Sequence, residues 1–139
     1  MAQKDIYHDT VITALDKDGW KITDDPFQVY VGEKRLSMDL GAERLISAEK
    51  GTRKIVVEIK SFLSRSDVKD LQQALGQYVM YHQVLVSQNI DRALYLAIPY
   101  RVYESLFQIE LGQLLLQNDW FHLIVFDERE KVLIKWIPE

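Results

Sequence analysis

One stretch constrains the fold more than any other. Lys54-Ile55-Val56-Val57-Glu58-Ile59-Lys60 is rich in β-branched residues and ends in charge, as a strand entering a sheet interior does. Residues 67–88 then change period. Val68, Leu71, Leu75, Tyr78, Val79, His82, Leu85 and Val86 recur at helical spacing and predict one broad apolar stripe, with Ser64 or Ser66 as its cap. Ala93-Leu94-Tyr95-Leu96-Ala97-Ile98 follows as a short apolar run closed by Pro99, a buried strand. Strand, long helix and strand in that order are long enough to join two parallel strands by a crossover. The chain is therefore expected to carry a sheet with helices against it.

The flanking segments make that sheet mixed. Residues 4–18 are expected to be helical, through Tyr7, Val11, Ala14, Leu15 and Asp18, with Gly19 as the stop. Asp24-Asp25-Pro26 signals a turn or loop. Phe27 to Val31 alternates and turns at Gly32-Glu33-Lys34 into Arg35 to Leu40. Leu45 to Ala48 reads as another strand, turning at Lys50-Gly51-Thr52 into the run ending at Lys60. Residues 100–117 read as one helix, through Val102, Leu106, Phe107, Leu111, Leu114 and Leu115. Trp120–Phe126 and Val132–Trp136 pair as a hairpin around Asp127–Lys131. No linker, repeat or low-complexity segment divides the 139 residues, so a single α/β domain with a mixed sheet is expected over 1–139.

Composition excludes several classes of function. There is no Cys, hence no disulfide framework and no thiolate zinc site, and an intracellular, cytoplasmic location is the simplest reading. No apolar run approaches the roughly 20 residues that span a bilayer, and residues 1–6 lack the apolar centre of a signal peptide. Glycine-rich phosphate loops and a Gly-x-Ser-x-Gly elbow are absent. The net charge of −4 argues against nonspecific coating of nucleic acid. Its distribution is uneven. Residues 33–65 hold eight basic and five acidic side chains, a net +3, while the remaining nine basic and sixteen acidic carry −7. That span is either a local basic surface or a solvated hairpin of mixed charge.

The chemistry-bearing candidates gather around the same strand. Glu58 and Lys60 share a strand face, and Asp39, near the end of an earlier strand, can bring a second carboxylate toward Glu58. Two carboxylates, the backbone carbonyl of Ile59 and waters suit Mg²⁺, a hard octahedral cation. Lys60 would stand beside the attacking water while the metal offsets charge developing on a phosphodiester. The competing reading of Glu58 and Lys60 is a surface ion pair worth roughly 0–1 kcal/mol. On the long helix, Gln73, Gln77 and Tyr81 form a polar row, apart from the apolar stripe, that looks toward Lys60 or only into solvent. His8, His82 and His122 read as core or surface histidines, and Trp20, Trp120 and Trp136 as core or interface anchors.

Asp39…Glu58-Ile59-Lys60, with a helix before and a helix carrying Gln77-Tyr78-Val79-Met80-Tyr81 after, resembles the core of the PD-(D/E)xK nuclease superfamily, and Gln77…Tyr81 that of its RecB-like branch. Met38 stands where that motif has Pro. The resemblance implies a restriction-endonuclease-like fold, Asp39 and Glu58 as metal ligands, Lys60 as catalytic lysine, and Gln77 and Tyr81 as supporting or DNA-contacting groups. Asp5 and Asp9 stand where some members carry an acid. Longer blocks are similar to the XisH family: Lys4–His8, Leu15–Trp20, Asp39–Glu43, Val57–Phe62, Ala74–Tyr78, Leu94–Pro99 and Trp136-Ile137. Members are fdxN element excision controlling factors of cyanobacteria. That resemblance implies a part in excising a DNA element during heterocyst development, beside a recombinase and an XisI companion. Three readings stay open: an Mg²⁺-dependent DNA endonuclease, a non-catalytic DNA-binding control factor, and an XisI-binding module. DNA and an XisI-like protein are the expected partners, and a homodimer is left open.

Overall fold

The computed structural model describes residues 4–47 and 51–139. Twelve elements follow one another among them: α1 (His8–Lys17), β1 (Lys21–Asp24), β2 (Phe27–Val31), β3 (Lys34–Met38), β4 (Leu40–Ser47), β5 (Gly51–Ile59), α2 (Asp67–Ser87), β6 (Ala93–Pro99), α3 (Tyr100–Leu106), α4 (Glu110–Leu116), β7 (Leu123–Asp127) and β8 (Val132–Ile137). Six strands form a mixed sheet in the order β1-β4-β5-β6-β7-β8. The centre is parallel, β5 with β6 and β6 with β7, as the crossovers through α2 and through α3–α4 require. Both flanks are antiparallel. β2 and β3 pair as a separate hairpin, Phe27 opposite Met38 and Val31 opposite Lys34, so that Lys34 belongs to the strand rather than to the expected turn and the strand ends at Met38 rather than Leu40.

Each strand of the sheet centre divides its residues between two cores. Ile55, Val57, Ile59, Tyr95, Ala97, Ile124 and Phe126 meet Val11 and Leu15 of α1 on one face. Val56, Leu94, Leu96, Ile98, Leu123 and Val125 meet Leu71, Ala74, Tyr78 and Leu85 of α2 on the other, joined by Val29 and Met38 of the hairpin. Burial on both faces explains why β5–β7 read as continuous apolar runs rather than alternating ones.

Several boundaries differ from expectation, each for a visible reason. α1 begins at His8 because the Asp5 carboxylate accepts the Tyr7 N–H at 2.9 Å, which holds the preceding residues in a turn. Lys21–Asp24 forms β1, too short for a periodic signal. The expected single helix over 100–117 breaks into α3 and α4. α4 folds back so closely that a Cβ on Gly112 would lie 2.2 Å from the Leu106 carbonyl oxygen. The stripe expected on α2 is rotated. Asp70, Leu71, Ala74, Tyr78, Tyr81 and Leu85 are buried, whereas Val68, Val79 and Val86 are exposed. Of the two candidate caps, Ser66 serves, accepting the Lys69 N–H at 3.1 Å. Ala48 and Lys50, expected in a strand end and a turn, lie outside the described residues, while Gly51 and Thr52 open β5. No helix among the described residues is long and apolar enough to cross a membrane.

Candidate functional site

Asp39 is the single residue between β3 and β4, where the chain passes from the hairpin into the main sheet. Leu40 pairs with Val57, so continuing that antiparallel register sets Asp39 opposite Glu58. The two acids, 19 residues apart in sequence, are tied together by two backbone N–H groups, one from Asp39 itself and one from Ile59. The Asp39 N–H donates to Glu58 Oε1 at 2.7 Å, and the Ile59 N–H donates to Asp39 Oδ2 at 2.8 Å. Each carboxylate thus spends one oxygen on the ladder's end.

Burial gives the pair unusual protonation. Glu58 is only 7% exposed. Its pKa is pushed up to about 9, by burial first and then by the negative fields of Asp39 and Asp5, against the pull of the Asp39 N–H. Asp39 is also raised, by burial first, with Asp5 and Asp25 adding repulsion, while the Ile59 N–H and the field of His8 act the other way. At neutral pH the pair is therefore short of its full negative charge. A divalent cation bound here would displace a proton.

The surroundings fix where the strand leaves the sheet. The Lys60 N–H donates to the Ala97 carbonyl at 3.1 Å, and Lys60 Nζ donates to Gln73 Oε1 of α2 at 2.9 Å. Among the described residues no carboxylate lies within 4.0 Å of that amine, so Glu58 and Lys60 are not an ion pair. The Ser61 N–H donates to Asp5 Oδ2 at 3.0 Å. Arg101 of α3 donates to the carbonyls of Ser61 and Phe62. Phe62 has φ +55°, a left-handed conformation that costs a non-glycine residue roughly 1 kcal/mol, and buries its ring in the α2-side core. Asp5 and Arg101 thus grip the turn that aims Lys60.

The candidate residues fare unequally. Asp39, Glu58 and Tyr81 come together. The Tyr81 hydroxyl donates to the Ser37 carbonyl at 3.4 Å, and its pKa is pushed up to about 12 by burial and then by Glu58 and Asp39. Tyr81 belongs to the buried face of α2 rather than to a polar row apart from it, because the helix is rotated from the expected stripe. Gln73 reaches Lys60, whereas Gln77 is exposed and makes no side-chain hydrogen bond among the described residues. The Ile59 side chain lies in the α1-side core. Asp5 reaches the site and Asp9 is exposed. Sequence reasoning missed Asp25, which receives a 2.8 Å hydrogen bond with buried His8 Nε2 beside Asp39, and Arg101. The Asp-Asp-Pro turn signal marked Asp25's neighbourhood, but nothing local marked its partner.

Compared with protein families, residues 1–134 match the model of the XisH protein. Two crystal structures superpose with a TM-score of 0.84, each match covering 96% of this chain and 99% of the other. One is an XisH family protein from Nostoc punctiforme PCC 73102, 36% identical. The other is an fdxN element excision controlling factor protein from Anabaena variabilis, 38% identical. No curated protein matches significantly.

Proposed function

The chain belongs to the XisH family, and from that membership we propose that it controls the excision of a DNA element, using the Asp39–Glu58 end of the sheet as an Mg²⁺-dependent phosphodiester-cleaving centre of the PD-(D/E)xK type. The first half rests on the 38% identity to the Anabaena variabilis excision controlling factor. The second rests on one observation: two half-buried or buried carboxylates, distant in sequence, tied together by the Asp39 N–H on Glu58 and the Ile59 N–H on Asp39, beside an amine free of carboxylate partners.

The donor set suits a hard cation. Mg²⁺ is commonly held by one or two carboxylates and completed by water, and Asp39 and Glu58 each have an oxygen outside the bonds between them. Bound between them, with the Ile59 carbonyl alongside, it would supply positive charge to a phosphodiester and acidify a water. The chain's own contributions are separate. Asp5 and Arg101 hold the turn after Lys60. Gln73 fixes the Lys60 amine at the site's edge. Tyr81 closes the α2 side.

One observation favours a second reading, a non-catalytic module binding DNA or an XisI-like companion on the same fold. Among the described residues no three His, Asp or Glu side chains converge as a metal-ligand set. Nicking of supercoiled plasmid with Mg²⁺, and calorimetric titration with Mn²⁺, compare the wild type with Glu58→Gln. Cleavage and ion binding lost together in the variant support the nuclease. DNA retained in EDTA and never cut, or co-purification with the companion and no DNA retention, supports the module. Activity unchanged in Glu58→Gln removes Glu58 from the chemistry.

A further inference from the structure

A second unusual cluster lies near the start of β5. Arg44 of β4 and Arg53 of β5 are direct cross-strand partners in the antiparallel ladder. Like charges opposite each other destabilise such a pair. The neighbouring pair, Glu43 with Lys54, shows the ordinary solution of opposite charges. Both guanidinium groups instead lie over the Trp20 ring, at 5.4 Å for Arg44 and 6.0 Å for Arg53.

Arg53 is held more completely. It also lies 5.7 Å from the Tyr95 ring and 5.6 Å from the Trp136 ring, and it donates to the Tyr95 hydroxyl. Arg44 has the Asp18 carboxylate at 3.5 Å, but among the described residues no carboxylate lies within 4.0 Å of Arg53. Three aromatic rings thus orient an exposed guanidinium that lacks a counter-charge. Trp20, Trp136 and the cations Arg44, Arg53 and Lys135 line a pocket of about 310 Å³, the lower end of the range for ligand sites, with Asp18 and Glu139 as the acids on its wall.

We infer that this pocket is a phosphate-binding subsite for the backbone of a nucleic acid, with Arg53 as its principal contact and Arg44 alongside. A planar guanidinium offers paired N–H donors that match two phosphate oxygens, and stacking fixes its plane beforehand. A bound phosphodiester would also screen the Arg44–Arg53 repulsion, which Asp18 balances on one side only. The inference rests on the DNA-element reading for the identity of the anion, and not on the carboxylate centre. Arg53 and Glu58 lie five residues apart on β5, roughly 17 Å along the strand and on opposite faces.

The test is fluorescence anisotropy of labelled single-stranded and duplex oligonucleotides in EDTA over a series of salt concentrations. Inorganic phosphate serves as competitor. Arg53→Gln should weaken binding at least about fivefold and lower the slope of log K against log salt by about one. Arg53→Lys should keep the slope and recover only part of the affinity. Lys34→Gln, on the remote hairpin, should change the affinity less than Arg53→Gln does. If Arg53→Gln melts early, Arg44→Gln is read in the same way. A wild type that binds DNA, with both arginine variants unchanged or matched by Lys34→Gln, overturns the subsite alone. A wild type that binds no oligonucleotide overturns the subsite and the DNA reading together. Displacement by inorganic phosphate at equal phosphate concentration reassigns the pocket to a free anion and overturns the inference.

Discussion

The β4–β5 ladder sets like charges together at two places, and the two are resolved differently. At one end Asp39 and Glu58 are tied together, and burial, with the repulsion of neighbouring carboxylates, raises both pKa values. Toward the other end Arg44 and Arg53 stay exposed, and aromatic faces cushion two charges that guanidinium groups do not give up. Between them Glu43 pairs with Lys54 in the ordinary way. A carboxylate can change its charge state to suit a dry site and an arginine cannot, so the acids lie inside and the cations on the rim. The proposed cation site and the proposed phosphate subsite sit at these two places.

The largest test of this contrast is Glu58→Gln followed by thermal unfolding from pH 5 to 9. Glu58 has a folded pKa of about 9, above its ordinary 4.5. Below the ordinary value the folded and unfolded chains are both protonated and the group contributes its full stability. As pH rises, the unfolded chain ionises first, and that contribution is lost progressively until the folded group ionises as well. The neutral amide does not titrate. The variant should therefore gain on the wild type as pH rises, by at least about 4 °C in Tm between pH 5 and 9, on the order of 1 kcal/mol for a chain this size. A constant gap across that range would mean that Glu58 is ionised in the fold, and the contrast between the two ends would disappear.

A smaller effect separates the contributions to Glu58. Asp5 adds a negative field to both Asp39 and Glu58 while its carboxylate binds the Ser61 and Tyr7 N–H groups. Asp5→Asn removes the charge and keeps one acceptor oxygen. The Glu58 titration, followed through its side-chain carboxyl ¹³C resonance, should move to lower pH. Stability should fall by about 1 kcal/mol, through the backbone donor left short of a partner. An unmoved titration would assign the shift to burial and Asp39 alone.

Much of this arrangement was legible in the sequence, and the failures have a common cause. The β5–α2–β6 crossover could be read because Ile55–Ile59 and Leu94–Ile98 are apolar on both faces, and their burial on both faces confirms that reading. The meeting of Asp39 with Glu58 could be read because it is a consequence of antiparallel register. What could not be read depends on side chains reaching across elements. The four-residue spacing of Gln73, Gln77 and Tyr81 predicts one polar row, yet Tyr81 is buried with its hydroxyl on a carbonyl of the hairpin. Arg101 and Asp25 join the site from α3 and from the turn after β1, at sequence distances where no period operates. The break between α3 and α4 brings Gly112 against the Leu106 backbone, a packing that apolar spacing does not encode. The basic span of residues 33–65 was visible as a charge excess, but the aromatic seats of Arg44 and Arg53 come from Trp20, Tyr95 and Trp136, outside it.

The smallest expected effect falls on the exposed end. Arg44→Gln removes a cation directly opposite Arg53, which should stabilise the ladder by a few tenths of a kcal/mol. It also gives up the Trp20 stacking and the exposed Asp18 contact at 3.5 Å, worth a similar amount in the opposite direction. The sum should lie within about 0.5 kcal/mol of zero in urea unfolding at low salt. Salt should separate the two contributions. It screens the Arg44–Arg53 repulsion in the wild type, so the wild type should gain on the variant as NaCl rises from roughly 10 mM, where the screening length is about 30 Å, toward 1 M, where it is about 3 Å. The Asp18 contact is screened as well, but it balances only Arg44, and Arg53 keeps its charge with no carboxylate beside it. A variant that is destabilised by more than 1 kcal/mol at every salt concentration would show the arginine pair to be a packing element like any other. The two ends of the ladder would then differ in kind, with only the carboxylates held against their own repulsion.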